Sequence, residues 1–131
     1  MGFLPYPFVT IDGDDVGSRL AACYLSNDVK TLKSTKELVD FKTRRISEML
    51  VTFGYDVLFC AADGGTAYTP ESALDEGSLY QSIKDTVGDE LAFSVGIGSN
   101  LREAYVALLF AKSTGKAQIC SFEAMEHTCL E

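Results

Sequence analysis

Long apolar runs, paired cysteines and histidine are what this sequence has little of. No stretch approaches the roughly 18 consecutive apolar residues that a membrane-crossing helix needs, and no basic region leads into an extended apolar core at the N-terminus. Neither a membrane span nor a secretion signal is therefore expected. Four cysteines, Cys23, Cys60, Cys120 and Cys129, are scattered without a CxxC pair. That spacing argues against a zinc site and against a disulfide framework, and three of the four sit in apolar patterns where cysteine acts as a small hydrophobe. These absences place the protein in a reducing cytoplasm. The one histidine, His127, lies in a polar tail and reads as a surface residue rather than a catalytic base. Internal repeats, low-complexity tracts and linker-like stretches are missing too, so the 131 residues are expected to form one domain, 1–131.

Positive charge is also scarce. The formal net charge is -8, which disfavours non-specific attraction to duplex nucleic acid or an anionic membrane surface. Six of the eleven basic residues (Lys30, Lys33, Lys36, Lys42, Arg44 and Arg45) share one short stretch, either a solvated helix face or a surface for phosphate or a partner. Against this, 47% hydrophobic and 23% charged residues are ordinary for a globular chain that buries a core.

The hydrophobic pattern alternates between strand and helix periods. Phe8 to Ile11 is short and β-branched, and stops at Asp12-Gly13-Asp14-Asp15; the next segment carries Val16, Leu20, Cys23 and Tyr24 at helical spacing up to a break at Asn27-Asp28. A second helix is expected over Thr35 to Val51, with Leu38, Phe41, Met49 and Leu50 as its core side and Gly54 after it. Tyr55 to Ala62 is nearly continuous in apolar residues, as for a strand buried on both faces, and Asp63-Gly64-Gly65 turns it into a return strand, Thr66 to Tyr68. Pro70 and Glu71 open a third helix, bearing Leu79, Tyr80, Ile83 and Val87, before a break at Gly88-Asp89. Ala92 to Ile97 reads as a strand, Leu101, Ala104, Tyr105, Leu108 and Leu109 line a fourth helix, and Ala117 to Phe122 supplies a last strand. The order β-α-α-β-β-α-β-α-β predicts an α/β (α+β) fold.

Three features carry chemistry. Asp12, ending the first strand, and Asp63, at the hairpin tip, converge if these strands are sheet neighbours, and two carboxylates suit magnesium, a hard cation that shares its shell with phosphates. The structural alternative is that Asp12 caps a helix and Asp63 makes a turn. Gly13 to Gly17 leads from a strand into a helix N-terminus, where free N–H groups favour phosphate, although Asp14 and Asp15 already supply negative charge there. Ala111-Lys112-Ser113-Thr114-Gly115-Lys116 sets two cations beside a glycine turn, which also describes an ordinary helix terminator.

In order and residue type these features resemble the superfamily of GGDEF domains, nucleotidyl cyclases and CRISPR polymerases, whose palm domain is ferredoxin-like with helices packed on a mainly antiparallel sheet. Ile11-Asp12-Gly13-Asp14-Asp15-Val16-Gly17 is similar to the DxDxxG strand end. Ala61-Ala62-Asp63-Gly64 takes the place of the GGDEF or GGDD hairpin, and Ser94-Val95-Gly96-Ile97-Gly98 through Ala104 and Ala107 to Lys116 is similar to the SIG…A…A…AKxxGR ending. Within the superfamily the length and hairpin most resemble the minimal CRISPR polymerases, mCpol. The resemblance implies a nucleotidyltransferase that makes a cyclic dinucleotide in antiphage signalling, read by a separate effector. It implies Asp12 and Asp63 as catalytic metal ligands with the Gly13 carbonyl as a third, around magnesium or manganese. Asp14, Asp15, Val16, Gly17 and Ser18 then lie at the nucleotide, with Lys112 and Lys116 at its outer phosphates, and two chains meet as a homodimer.

Three departures from the pattern qualify that picture. Gly64 stands where the hairpin's fourth acid is found, which puts a full two-metal site in doubt. Gly17 replaces a lysine and Leu20 a guanine-reading asparagine, so guanine selection is not supported and ATP is favoured. No RxxD precedes the hairpin, so the corresponding product-inhibition site has no counterpart. The alternatives are a triphosphate hydrolase or cyclohydrolase using the same acids, and a degenerate palm that binds a nucleotide without chemistry.

Overall fold

Three short polar caps set the helix boundaries of the chain. In the computed structural model, which describes residues 7–70 and 74–129 (side chains to 125), Asp28, Asp75 and Asn100 each accept a hydrogen bond from the backbone N–H three residues on. These side chains satisfy donors that a helix start leaves unpaired. They open α2 (Val29–Thr52), α3 (Glu76–Val87) and α4 (Leu101–Ser113), while α1 (Val16–Leu25) follows the first strand directly. The strands are β1 (Phe8–Gly13), β2 (Asp56–Ala61), β3 (Gly64–Tyr68), β4 (Phe93–Gly98) and β5 (Ile119–Ser121), and a last helix, α5, spans Phe122–Cys129.

The five strands form one sheet in the order β2-β3-β1-β4-β5. Every pairing is antiparallel except β4 with β5. This is the mixed α/β architecture expected, with a mainly antiparallel sheet and helices packed on it. Alternation along β1 sends Val9 and Ile11 to one face, where they join Val95 and Ile97 of β4, Val39, Ile46 and Leu50 of α2, and Leu79, Ile83 and Val87 of α3 in the core. Thr10 and Asp12 fall on the opposite face. There α4 lies against β4 so closely that a Cβ at Gly96 would come within 2.2 Å of the Ala104 carbonyl and the Leu108 amide. The glycines of the Ser94 to Gly98 motif thus make room for a helix rather than for a ligand.

Several expectations are corrected. The apolar run at Tyr55 to Ala62 forms an edge strand with Leu58 and Phe59 exposed, not a strand buried on both faces, and its pairing slips between Val57 and Phe59. Helix α2 starts earlier than Thr35, and Thr35, Val39, Thr43, Ile46 and Leu50 make its core side while Phe41 faces solvent. Tyr24, Leu101, Tyr105 and Leu109 are likewise exposed. The third helix opens at Asp75 and not at Pro70; Glu71 lies outside the described residues. The final strand is shorter than expected and runs straight into α5, so His127 belongs to a helix rather than a tail, its side chain being outside the described set. Among the cysteines whose side chains are described, Cys23 is buried, Cys60 exposed and Cys120 half-buried. The basic stretch sits on α2 and is mostly solvated, with Lys36 paired to Asp40 and Arg45 to Glu48. Among the described residues no helix is long and apolar enough to cross a membrane.

Candidate active site

The C-terminal end of β1 and the β2–β3 turn meet where the sheet topology brings β1 beside β3. Asp12 pairs with Gly64 across the two strands. One residue on, the Gly13 amide donates to the Asp63 carbonyl at 2.8 Å. The two carboxylates singled out in the sequence therefore do converge, and Asp63 is presented by a turn in which Ala62 has a left-handed φ of 52°. Partial burial, followed by the neighbouring charges of Asp63 and Asp14, lifts the Asp12 carboxyl above the ordinary carboxylate range, although Lys112 offsets part of that effect.

Lys112, in the last turn of α4, is the cation of the site. Its ammonium donates to the Gly13 carbonyl at 2.9 Å and to Asp14 Oδ1 at 3.0 Å, and lies 3.1 Å from Asp12 Oδ2. Burial works against its charge, but Asp14 and Asp12 outweigh burial and hold its pKa above the ordinary lysine value. Asp14 is the innermost of the three acids. Its side chain accepts from Ser94 Oγ at 2.7 Å, from Lys112 and from the Ala117 amide at 2.7 Å, so it ties β1, β4, α4 and the loop after α4 together. A buried carboxylate so fully bonded serves position rather than ligand capture. Of the residues expected at a nucleotide, Asp14 is thus turned inward onto Ser94, Lys112 and Ala117, which was not legible beforehand because three aspartates in four positions look alike.

The turn into α1 is differently built. Asp15 occupies the N-cap position with φ 61° but makes no capping bond; its carboxylate, lowered in pKa by the hydrogen bond from Lys116, pairs with that lysine at the surface. Val16 is buried, whereas Gly17 and Ser18 are exposed. The amides of Asp15, Val16, Gly17 and Ser18 have no acceptor among the described residues. Four free N–H groups at the positive end of a helix, next to a half-exposed lysine, make a place for an anion such as a phosphate.

Gly64 is constrained by its position opposite Asp12. A Cβ there would lie 2.5 Å from the Ile11 carbonyl oxygen and 3.0 Å from Asp12 Oδ1. The missing hairpin acid is thus matched by backbone that has closed over its place. Among the described residues no group of three or more His, Cys, Asp or Glu side chains is arranged for a metal. The donor set still fits a single hard cation: the Asp12 carboxylate and Gly13 carbonyl already gather one positive group, the Lys112 ammonium, and Asp63 is adjacent.

Two open grooves flank the carboxylates, and Ala62 and Asp63 line both. One, of about 450 Å³, runs between α1 and α2 past Gly17, Leu20, Tyr24, Val39 and Asp40. The other, of about 420 Å³, lies over the open face of the sheet beside α4. The sequence signalled neither groove, because their walls come from distant segments.

Comparison with known proteins gives this geometry a setting. The model of the minimal CRISPR polymerase domain, mCpol, matches residues 8–122. No curated protein matches the chain. Among solved structures, the diguanylate cyclase SiaD from Pseudomonas aeruginosa, determined with its activator SiaC, superposes with a TM-score of 0.63 at 19% identity over 89% of this chain; the chain spans 50% of the length of SiaD. The GGDEF domain of TpbB, or YfiN, from the same organism gives a TM-score of 0.64 at 15% identity, with 94% of this chain and 80% of that one covered. That of DgcB from Caulobacter crescentus, in complex with c-di-GMP, gives 0.52 at 10% over 88% of this chain and 77% of that one. At such identities the structures establish the fold, while the family match covers nearly the whole described chain and takes in every element from β1 to β5. The chain belongs to the minimal CRISPR polymerase family.

Proposed function

We propose that the protein is a nucleotidyltransferase that joins nucleoside triphosphates, with ATP favoured, into a cyclic dinucleotide. The observation that carries this reading is the juxtaposition of Asp12 and Asp63 with the unbonded amides of Asp15 to Ser18, a cation-holding oxygen cluster directly beside an anion-holding helix start. In this account the triphosphate lies across the α1 N-terminus and Lys116, whose ammonium is at the surface, faces the outer phosphates with Lys112 behind it. The base enters the groove between α1 and α2. Leu20 lines that groove where a polar residue would be needed to read guanine, and this supports adenine.

Magnesium or manganese, when held by Asp12, Asp63 and the Gly13 carbonyl, would neutralise charge developing on the α-phosphate and help to ionise the attacking ribose hydroxyl. The chain's own part is positional. Asp14 fixes Lys112, Lys112 fixes Asp12, and the Gly13 amide fixes the turn that carries Asp63. Such preorganisation aligns hydroxyl and phosphate and supplies most of the rate in phosphoryl-type transfers. Joining two nucleotides requires the hydroxyl of one to reach the α-phosphate of the other, and a closed two-fold pair of chains with facing sites would let each nucleotide serve as donor and acceptor, so a homodimer is part of the proposal. The cyclic product would act on a separate effector in antiphage defence, in a cytoplasmic setting.

Release of pyrophosphate tests the reading. Incubation with ATP and magnesium should liberate pyrophosphate in step with a product larger than ATP. Release of orthophosphate with ADP would instead make the protein a hydrolase, and binding of ATP with no release at all would make it a nucleotide-binding module.

A further inference from the structure

Both lysines beside the α1 start are already neutralised by the chain's own acids, Lys112 by Asp12 and Asp14 and Lys116 by Asp15. The two pairings differ in what a ligand can do to them. The Lys112 side chain is only 23% exposed and also donates to the Gly13 carbonyl, so it is fixed in place. In the Asp15–Lys116 pair the side chains are 55% and 45% exposed, open to an anion arriving from solvent. Lys116 is thus the cation of the site whose partner can be exchanged.

The backbone gives that pair a defined seat. An aspartate at an N-cap ordinarily turns its carboxylate onto an amide of the first helical turn. Asp15 has φ 61° instead, makes no capping bond, and sends its carboxylate to a lysine 101 residues away. Lys116 is also left-handed, at φ 64°, between Gly115 at 145° and Ala117 at 48°. Two successive non-glycine residues in that region carry a steric cost, so the loop depends on tertiary bonds, among them one from the Ala117 amide to Asp14 Oδ2 at 2.7 Å. Asp14 precedes Asp15 in the chain, and its own amide donates to the Ala92 carbonyl at 2.9 Å. Both arms of the pair are therefore anchored through Asp14, which fixes where carboxylate and ammonium meet.

We propose that Asp15 is an internal competitor for Lys116: its carboxylate occupies the ammonium that the outer phosphates of the nucleotide would use, so that the triphosphate is held less tightly and pyrophosphate leaves more easily. The inference rests on the nucleotidyltransferase reading above. On binding, the outer phosphates take Lys116 from Asp15. Once the α-phosphate has been transferred, pyrophosphate is left on the cations that held it as part of the triphosphate. A neighbouring carboxylate then repels the departing anion and recovers the lysine. Both effects fall on the outer phosphates. A monophosphate, which lacks them, does not compete for Lys116 and meets only the repulsion.

The test uses the full chain, magnesium and three probes, α,β-methylene-ATP, inorganic pyrophosphate and AMP, with binding read by calorimetry. Asp15→Asn removes the charge and keeps the shape, and asparagine tolerates a left-handed φ, so the turn and the melting temperature should be preserved. That variant should bind α,β-methylene-ATP and pyrophosphate about two- to fivefold more tightly than wild type, the range open to an exposed ion pair, and AMP with a smaller change. Lys116→Gln should weaken the first two ligands, and adding Asp15→Asn to it should recover less than Asp15→Asn gains alone. Weaker binding by Asp15→Asn would overturn the inference, since it would make Asp15 the support that aims Lys116. An equal gain with and without Lys116, or an equal gain for AMP, would overturn it as well, leaving plain repulsion. If α,β-methylene-ATP bound to none of the proteins, wild type included, the nucleotidyltransferase reading would fall and this one with it.

Discussion

Gly64 sits directly across the sheet from Asp12, and the space that a side chain at 64 would need is taken by the Ile11 carbonyl and the Asp12 carboxylate. Loss of the hairpin's fourth acid is therefore built into the backbone spacing and is not a vacancy that substitution can refill. Gly64→Ala should lower stability by about 1–3 kcal/mol, the usual cost of overpacking, and Gly64→Glu should lose activity instead of gaining it. Thermal or urea unfolding of the alanine variant checks the first; a Gly64→Glu protein with raised turnover would contradict the second.

On the proposed function Asp12→Asn and Asp63→Asn should each abolish turnover with the fold retained, because the amide keeps the size of the acid and removes the charge proposed to hold the metal. The measurement is pyrophosphate release beside circular dichroism. Near wild-type release from either variant would remove that residue from the metal site.

Ser94→Ala probes the anchor instead of the chemistry. It deletes one of the donors to the buried Asp14 carboxylate, and an acceptor left short in that setting costs about 1–3 kcal/mol. Unfolding in urea should show that loss, and activity should fall less than in the Asp12 and Asp63 variants. An unchanged midpoint would mean that Asp14 is held well enough by Lys112 and Ala117.

How far the sequence foretold this arrangement depends on where each contact came from. Asp12, Gly13 and the α1 start were legible because they lie together in one strand-turn-helix segment, and Asp63 because a hairpin tip between two strands can be read locally. The exposed edge position of β2 was not legible: Phe59 and Leu58 look the same in a central strand, and only the sheet order β2-β3-β1-β4-β5 decides which they are. The inward turn of Asp14 and the capture of Lys112 were hidden for the same reason, since they bring together residues 98 and 99 positions apart. Local helix signals misled at Phe41, where spacing was right for the helix but the core lay along Thr35, Val39, Thr43 and Ile46.

Assembly has its own signature under dilution. If two facing chains are needed to join two nucleotides, specific activity should fall as protein is diluted below its dimer dissociation constant. Asp63→Asn chains mixed with wild type should depress cyclisation. Cyclic product whose share is independent of protein concentration, from a chain that sediments as a monomer, would remove the dimer from the mechanism.

The central claim, that Asp12 and Asp63 serve nucleotidyl transfer, is tested most directly by mass spectrometry of the products formed from a mixture of the four ribonucleoside triphosphates with magnesium. The account predicts a cyclic dinucleotide containing adenine, a linear precursor and pyrophosphate, all absent from the Asp12→Asn and Asp63→Asn proteins. Nucleoside diphosphates alone, or four unchanged triphosphates, would contradict it.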